Sequence, residues 1–417
     1  MSLVADAQAA LGLVIFVALA VPFSSNWRRI RVPLVLRAIA VQFALCFILL
    51  RVPLMTQGLA VLNHGVTALA AAARRGSAFV FGYVGGAAPP FTVTAPEALT
   101  SFAFQVLPII IVVSALSALL WHWRILPLLV RALAWFFAHA VGTRGPTGLA
   151  ITANVFLGQV EAPLLVKPYI AGMSRHELLL LMTAGMAMIA GTMMVVYPAL
   201  LAPLLPDALS HLITKSLMSV PAAVLYAHLL LPEDEPDDAA APPARLYSST
   251  IDAVIRGTQD GLAIWLNVLA TLLVLVALVA LADAAIGLVP GPGHAPLTLE
   301  RVAGWLFAPL AWCMGIEWRE AVVAGRLLGV KTVLNEFLAY LDLVRLGSGA
   351  LTPRAQLITV YALCGFANFA SMGIQVAGLT TMAPERRVDL NALAWRSLLG
   401  ATLASCMTGA IVGIVAF

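Results

Sequence analysis

Long apolar runs separated by short polar breaks organise most of this chain. Runs at roughly 4–23, 35–54, 100–121, 178–203, 209–231, 261–287, 357–380 and 396–416 each reach the length of about 20 apolar residues that a bilayer core requires, and they predict eight transmembrane helices. Two further stretches, roughly 58–83 and 298–318, are amphipathic and shorter than a comfortable span. In the second, Leu299, Val302, Trp305, Leu306 and Pro309 alternate with Glu300 and Arg301, as in a helix lying in the membrane interface. Trp305, Trp312 and Trp318 fit an interfacial aromatic belt.

Two regions interrupt this pattern. Residues 147–172 are broken by Gly158, Pro163 and Pro168 and carry Asn154, Gln159, Glu161 and Lys167, while residues 320–345 carry Arg326, Lys331, Asn335 and Glu336. A charged side chain at the centre of a membrane helix costs about 2.5–3.5 kcal/mol on insertion scales, and irregular backbone is tolerated there only where protein or a water-filled cavity surrounds it. Each region therefore predicts a re-entrant helical hairpin lining a cavity. For the first, the alternative is that Glu161 caps a short cytoplasmic turn. Each hairpin precedes a span with a weak middle, residues 185–191 and 364–373, where glycine, alanine and serine permit unwinding. Interrupted segments at matching positions of two halves point to the central site of a transporter; close helix packing through small residues is the competing explanation. Asn368 and Ser371 lie three apart, on one helical face.

Composition places all of this in a bilayer. Of 417 residues 61% are hydrophobic and 11% charged, against about 25% charged in a soluble domain, and the mean hydropathy is +0.97. The chain reads as an all-α polytopic membrane protein. A formal charge of +4 with scattered arginines argues against nucleic-acid binding. Basic residues gather at Arg28, Arg29 and Arg31, at Arg124, Arg131 and Arg144, at Lys167 and Arg175, and at Arg386 and Arg387. Placing these loops in the cytoplasm satisfies the positive-inside rule, puts both termini outside, and makes the acidic stretch 233–243 a cytoplasmic loop. By the same count the first hairpin starts and ends in the cytoplasm and the second enters from outside, an inverted pair. The first apolar run is followed by Ser24, Ser25, Asn26, Trp27, Arg28 and Arg29, which reads as a membrane stop rather than a cleavable signal.

Cys46, Cys313, Cys364 and Cys406 lie far apart in apolar surroundings without CxxC spacing, and are expected as core residues. His64, His211, His228 and His294 lack metal-ligand spacing and fall near segment ends. No HExxH, GxSxG or paired aspartate cluster is present, which disfavours a membrane-embedded enzyme.

Three strings, Gly158-Gln159-Val160-Glu161-Ala162-Pro163, Asn335-Glu336-Phe337-Leu338-Ala339-Tyr340 and Cys364-Gly365-Phe366-Ala367-Asn368-Phe369-Ala370-Ser371, resemble the signature segments of the concentrative nucleoside transporters. Phe102-Ala103-Phe104-Gln105-Val106-Leu107-Pro108 and Arg131-Ala132-Leu133-Ala134-Trp135 also match that family's pattern, in the expected order. The resemblance implies a homotrimer of eight-span subunits in a bacterial inner membrane, with periplasmic termini, importing nucleosides with a co-transported cation by an elevator movement. It places Gln159, Val160 and Glu161 at the nucleobase, Glu336, Asn368 and Ser371 at the ribose hydroxyls, and Phe366 and Met193 in the pocket. The chemistry is consistent: an amide beside a carboxylate matches the donor and acceptor edge of a base, and a carboxylate accepts from ribose hydroxyls.

The resemblance also divides the chain into a scaffold at 1–146, a first transport half at 147–231, a cytoplasmic loop at 232–260, a scaffold span with an interfacial helix at 261–319, and a second transport half at 320–417. No cofactor is implied beyond the transported ion. Asn154 and the Leu157 carbonyl resemble one side of the family's sodium site, but Met188 stands where a serine hydroxyl is expected, next to the Ile189 carbonyl. A soft thioether is a poor sodium ligand, so either water replaces the hydroxyl or protons couple instead through Glu161 or Glu336; the retained Asn154 favours sodium. Val160 stands where many members carry threonine or serine, which leaves base preference open. Competing readings are a hairpin carrier for another small polar solute, a membrane-embedded enzyme and a passive channel.

Overall fold

The computed structural model describes residues 2–94, 99, 101–143, 145–232, 246–288, 297–347 and 349–417, and every regular element within them is helical. The acidic stretch 233–243, Arg144 and His294 lie outside the described residues. From the N-terminus come α1 (Ser2–Ala20), α2 (Val32–Arg51) and α3 (Pro53–Phe81), then a π-helical turn at Phe102–Val106 leading into α4 (Ile109–His122), and α5 (Ile125–Val141). The first hairpin follows as α6 (Gly145–Ala153) and the single turns α7 (Glu161–Leu164) and α8 (Lys167–Ile170). Next are α9 (Arg175–Ala187), α10 (Met193–Leu201), α11 (Ala208–Leu230), α12 (Thr250–Ile286) and α13 (Leu299–Cys313). The second hairpin is α14 (Trp318–Val333) and α15 (Glu336–Leu346), and the chain closes with α16 (Pro353–Leu363), α17 (Phe369–Met382) and α18 (Arg387–Ala416).

Six uninterrupted helical stretches among the described residues are long and apolar enough to cross a membrane: Leu3–Phe23, Val32–Arg51, Phe102–His122, Ala208–Leu230, Thr250–Ile286 and Pro384–Ala416. The remaining two expected spans, 178–203 and 357–380, are each split in the middle, into α9 with α10 and α16 with α17. Three boundaries differ from the sequence expectation. The helix expected at 261 starts at Thr250, because the Ser249 hydroxyl caps it by accepting from Asp252 N–H at 3.1 Å and Arg256 pairs with Asp252 at 2.8 Å one turn on. Residues 250–260 are thus helix rather than loop. The last span starts at Arg387 rather than 396, and α3 runs for 29 residues, longer than the short amphipathic segment expected there. In all three cases polar residues lower the apolar average but leave the helical backbone ladder intact.

α11 and α18 are buried along most of their length and pack against each other, against α9 and against α16. A helix apolar on all sides belongs to an interior. α12 is the opposite: its apolar length is exposed, as expected of a helix at the lipid-facing edge. Small residues set two of the closest helix contacts. Gly257 and Gly261 bring α12 onto α4, where an added Cβ would lie 2.7 Å from Ala118 and Ile111 atoms respectively. Gly325 and Gly329 do the same for α14 on α13, with the added Cβ 2.6 Å from the Ala308 nitrogen and 2.1 Å from the Ala303 Cβ. Both are glycine pairs four residues apart, which allow membrane helices to approach backbone to backbone. The exposed Trp305 and Leu306 lie on α13, so this short helix turns an apolar face outward while bracing the second hairpin. All four cysteines are free and buried.

Candidate functional site

Local sequence fixes where each hairpin turns. In the first, α6 stops at Ala153 and the chain passes through 154–160 before Glu161 opens α7; Lys167 then begins α8 with Pro168 in its first turn, where a missing N–H costs no helical hydrogen bond. Glu177 anchors this hairpin to the following span. It completes a capping box with Ser174 at the start of α9, and its carboxylate also accepts from the Thr147 hydroxyl of α6 at 3.0 Å. In the second hairpin Asn335 stops α14 and caps α15 by accepting from Leu338 N–H at 2.9 Å. Asn368 does the same for α17, accepting from Ser371 N–H at 2.7 Å.

The two interrupted spans meet at their breaks. The Phe366 N–H donates to the Met188 carbonyl at 3.2 Å, so each unwound segment satisfies part of the other's backbone. Gly365 adopts φ +143°, a conformation an L side chain rarely takes, and an added Cβ there would lie 2.8 Å from the Ala187 carbonyl oxygen. Gly191 lets the first hairpin's tip dock on the α9–α10 break, since a Cβ at this position would lie 2.2 Å from the Phe156 carbonyl oxygen. Gly185, although inside α9, likewise admits the Gln375 amide and the stem of Gln159.

Between these elements lies a cavity of about 260 Å³, on the scale of a small-solute site. All eight residues expected at the substrate line it: Gln159, Val160 and Glu161 from the first hairpin, Met193 from α10, Glu336 from the second hairpin, and Phe366, Asn368 and Ser371 from the second break and α17. Glu336 is buried, and each carboxylate oxygen already accepts one hydrogen bond, from the Tyr197 hydroxyl at 2.7 Å and from the Asn368 amide at 3.1 Å. Each oxygen keeps a further lone pair. The Gln159 amide donates to the Ser371 carbonyl at 3.3 Å, leaving its own buried oxygen without a partner among the described residues. The charged residues in the lining are two carboxylates, Glu161 and Glu336.

The four residues expected at the cation, Asn154, Leu157, Met188 and Ile189, lie outside the cavity lining, at the contact between hairpin tip and α9. Asn154 donates to the Ala184 carbonyl at 3.1 Å, while its buried side-chain oxygen has no partner among the described residues. Met188 and Ile189 are buried in the break. An orphaned amide oxygen suits a hard cation; the Met188 thioether does not.

Sequence reasoning missed several residues here. Tyr197, which holds Glu336, looked like one aromatic in an apolar helix. Asn267 and Thr271 enter the cavity from α12, which contributes part of the wall. Asn267 interrupts an otherwise apolar run and was the available signal. Two buried lysines also cap the interrupted helices: Lys215 of α11 and the Ser219 hydroxyl donate to the Ala187 carbonyl at the end of α9, and Lys331 donates to the Ala362 carbonyl near the end of α16 at 2.8 Å. A lysine inside the apolar run 209–231 is conspicuous, yet its partner could not be read from the sequence.

Two hairpins, each followed by an interrupted span and closing together on one polar cavity, define a membrane carrier. Its sequence matches three family profiles in order along the chain, described as the N-terminus of Na+ dependent nucleoside transporters over residues 11–84, nucleoside recognition (Gate) over 103–204, and the C-terminus of Na+ dependent nucleoside transporters over 211–413. An uncharacterized transporter of Haemophilus influenzae is 35% identical over 413 residues, covering 97% of this chain and 96% of that one. Sodium/nucleoside cotransporter 1 of Mus musculus is 33% identical over 365 residues, 82% of this chain and 53% of the longer mouse protein. The structure of CNTnw in an inward-facing substrate-bound state superposes with a TM-score of 0.88 at 34% identity, covering 98% of this chain and 99% of that one. The chain belongs to the concentrative nucleoside transporter family. It is a membrane transporter and not an enzyme.

Proposed function

We propose that the chain imports nucleosides across a bacterial cytoplasmic membrane as a sodium-coupled symporter. The observation that carries this reading is the cavity itself, where both hairpin tips and both breaks present Gln159, Glu161, Glu336, Asn368 and Ser371 to one small volume. Glu336 and Asn368 are pre-set by mutual hydrogen bonding to accept from ribose hydroxyls. Gln159 offers a free acceptor to a base edge. Several hydrogen bonds of about 1 kcal/mol each discriminate among solutes while permitting release. Lining charges that are carboxylates oppose an anionic cargo, which separates this reading from a hairpin carrier of dicarboxylates.

Sodium is favoured as the coupling ion by the descriptions of the matching profiles and by the orphaned Asn154 oxygen, with the Leu157 and Ile189 carbonyls as further ligands. Met188 supplies no side-chain oxygen, so water takes that position. The elevator movement, the homotrimer, the periplasmic termini and the division into scaffold (1–146 and 261–319) and transport halves (147–231 and 320–417) complete the proposal. They rest on likeness to the family and on the packing of α9, α11, α16 and α18 into one interior.

Uptake of uridine and adenosine into liposomes holding the purified protein tests this reading, with an imposed sodium or proton gradient. Accumulation under the sodium gradient is expected. Accumulation under neither refutes coupled transport, and accumulation under the proton gradient alone refutes sodium.

A further inference from the structure

The Lys215 ammonium is completely buried in α11 and donates to the carbonyl of Ala187, the last residue of α9. Ala187 immediately precedes Met188 and Ile189, two of the residues assigned to the cation. The carboxyl end of a helix is a negative pole, and in carriers with interrupted helices such ends coordinate the coupling ion. Here that pole is already occupied. Asn154 donates to the Ala184 carbonyl at 3.1 Å, Ser219 joins Lys215 on the Ala187 carbonyl at 3.2 Å, and Phe366 N–H takes the Met188 carbonyl at 3.2 Å. For an ion there remains the Asn154 side-chain oxygen, unpartnered among the described residues, with the Leu157 and Ile189 carbonyls as the further ligands of the proposed site.

Building on the sodium site of the proposed function, we propose that Lys215 sets its affinity: a tethered ammonium that neutralises the end of α9, claims the Ala187 oxygen and repels a second cation beside it. Lys331 caps α16 in the same way, on a carbonyl of the other interrupted span. Lys215 is the lysine whose carbonyl partner directly precedes Met188. Removing its charge takes away the repulsion and leaves Ser219 as the remaining side-chain donor on the Ala187 carbonyl, so that one lone pair of that oxygen becomes available to the ion.

Thermal unfolding of the purified protein without nucleoside, titrated with NaCl against choline chloride at constant ionic strength, reads sodium binding directly. The concentration giving half-maximal stabilisation is expected to fall at least tenfold in Lys215→Met, which keeps the length of the stem, and to stay near the wild-type value in Lys215→Arg. An unchanged half-maximal concentration in K215M overturns the inference, as does the absence of a sodium response in both wild type and K215M. Should K215M not fold, Lys215→Gln, which keeps a donor to the Ala187 carbonyl but no charge, is titrated in the same way, and an unchanged half-maximal concentration in K215Q overturns the inference equally. Nucleoside uptake is scored separately, so a protein that binds sodium as expected but moves no nucleoside refutes the transport reading and leaves the role of Lys215 standing.

Discussion

The Tyr197 hydroxyl donates to Glu336 at 2.7 Å across 139 positions of sequence, joining the second half of one interrupted span to the tip of the opposite hairpin. The Tyr197 ring is itself held, packing against Tyr340 with centroids 4.9 Å apart. Glu336 is therefore oriented before any solute arrives, and the two halves of the molecule share one polar group.

Tyr197→Phe keeps that ring packing and deletes one donor. A hydrogen bond to a charged group contributes about 1.5–3 kcal/mol, so the variant is expected to bind uridine roughly tenfold more weakly, about 1.4 kcal/mol, with a lower thermal midpoint. Calorimetric titration and unfolding of the same preparation check both. Unchanged affinity would show that Glu336 is oriented without Tyr197.

Glu336→Gln tests the ribose assignment. The substitution preserves volume, but an amide beside the Asn368 amide sets a donor against a donor on one side or leaves Tyr197 facing an NH₂ on the other. Uptake of ribonucleosides is expected to fall at least tenfold, while helical content by circular dichroism stays the same. Wild-type uptake in a well-folded E336Q protein would sink the assignment.

Val160 is flanked in sequence by Gln159 and Glu161 in the cavity wall and also packs on Gly378, where an added Cβ would come within 3.0 Å of its methyl group. Val160→Thr is nearly isosteric and adds one hydroxyl. A new hydrogen bond of about 1 kcal/mol corresponds to roughly a fivefold change in affinity. The ratio of inhibition constants for uridine and adenosine is expected to shift by that order in competition assays, and an unaltered ratio would mean that this side chain does not face the base.

Whereas Val160, Met193 and Phe366 entered only through the family resemblance, the hairpins, the breaks and the polar residues Gln159, Glu161, Glu336, Asn368 and Ser371 were legible because each violates the cost of placing polar groups or irregular backbone in lipid. Glu336, Asn368 and Gln159 announced themselves in this way, and the cavity unites them. What stayed hidden was relational. Tyr197 is unremarkable until Glu336 is placed opposite it, and the contact of Phe366 with the Met188 carbonyl joins two breaks 178 residues apart in sequence (366 − 188). The early starts of α12 and α18 were missed for a different reason: an N-terminal cap or a polar helical extension does not register in an average of apolarity.

Two glycines separate the docking of the first hairpin from general helix stability. A methyl group at Gly191 would lie 2.2 Å from the Phe156 carbonyl oxygen, and because that neighbour is backbone the hairpin tip itself must move. Gln159 and Asn154 sit on the same tip, so Gly191→Ala is expected to weaken uridine binding at least tenfold although the new methyl touches no substrate group. Gly373 lies in α17, two residues beyond Ser371, and an added Cβ there meets nothing within 4 Å. There, alanine replaces a helical glycine in open space, which stabilises by about 0.5–1 kcal/mol, and binding is expected to stay near wild type. Measuring both variants for thermal midpoint and uridine affinity distinguishes the explanations. Equal loss of affinity in the two would mean that any added methyl in these spans disturbs the site, whereas loss in G191A alone ties recognition to the contact between Phe156 and the α9–α10 break.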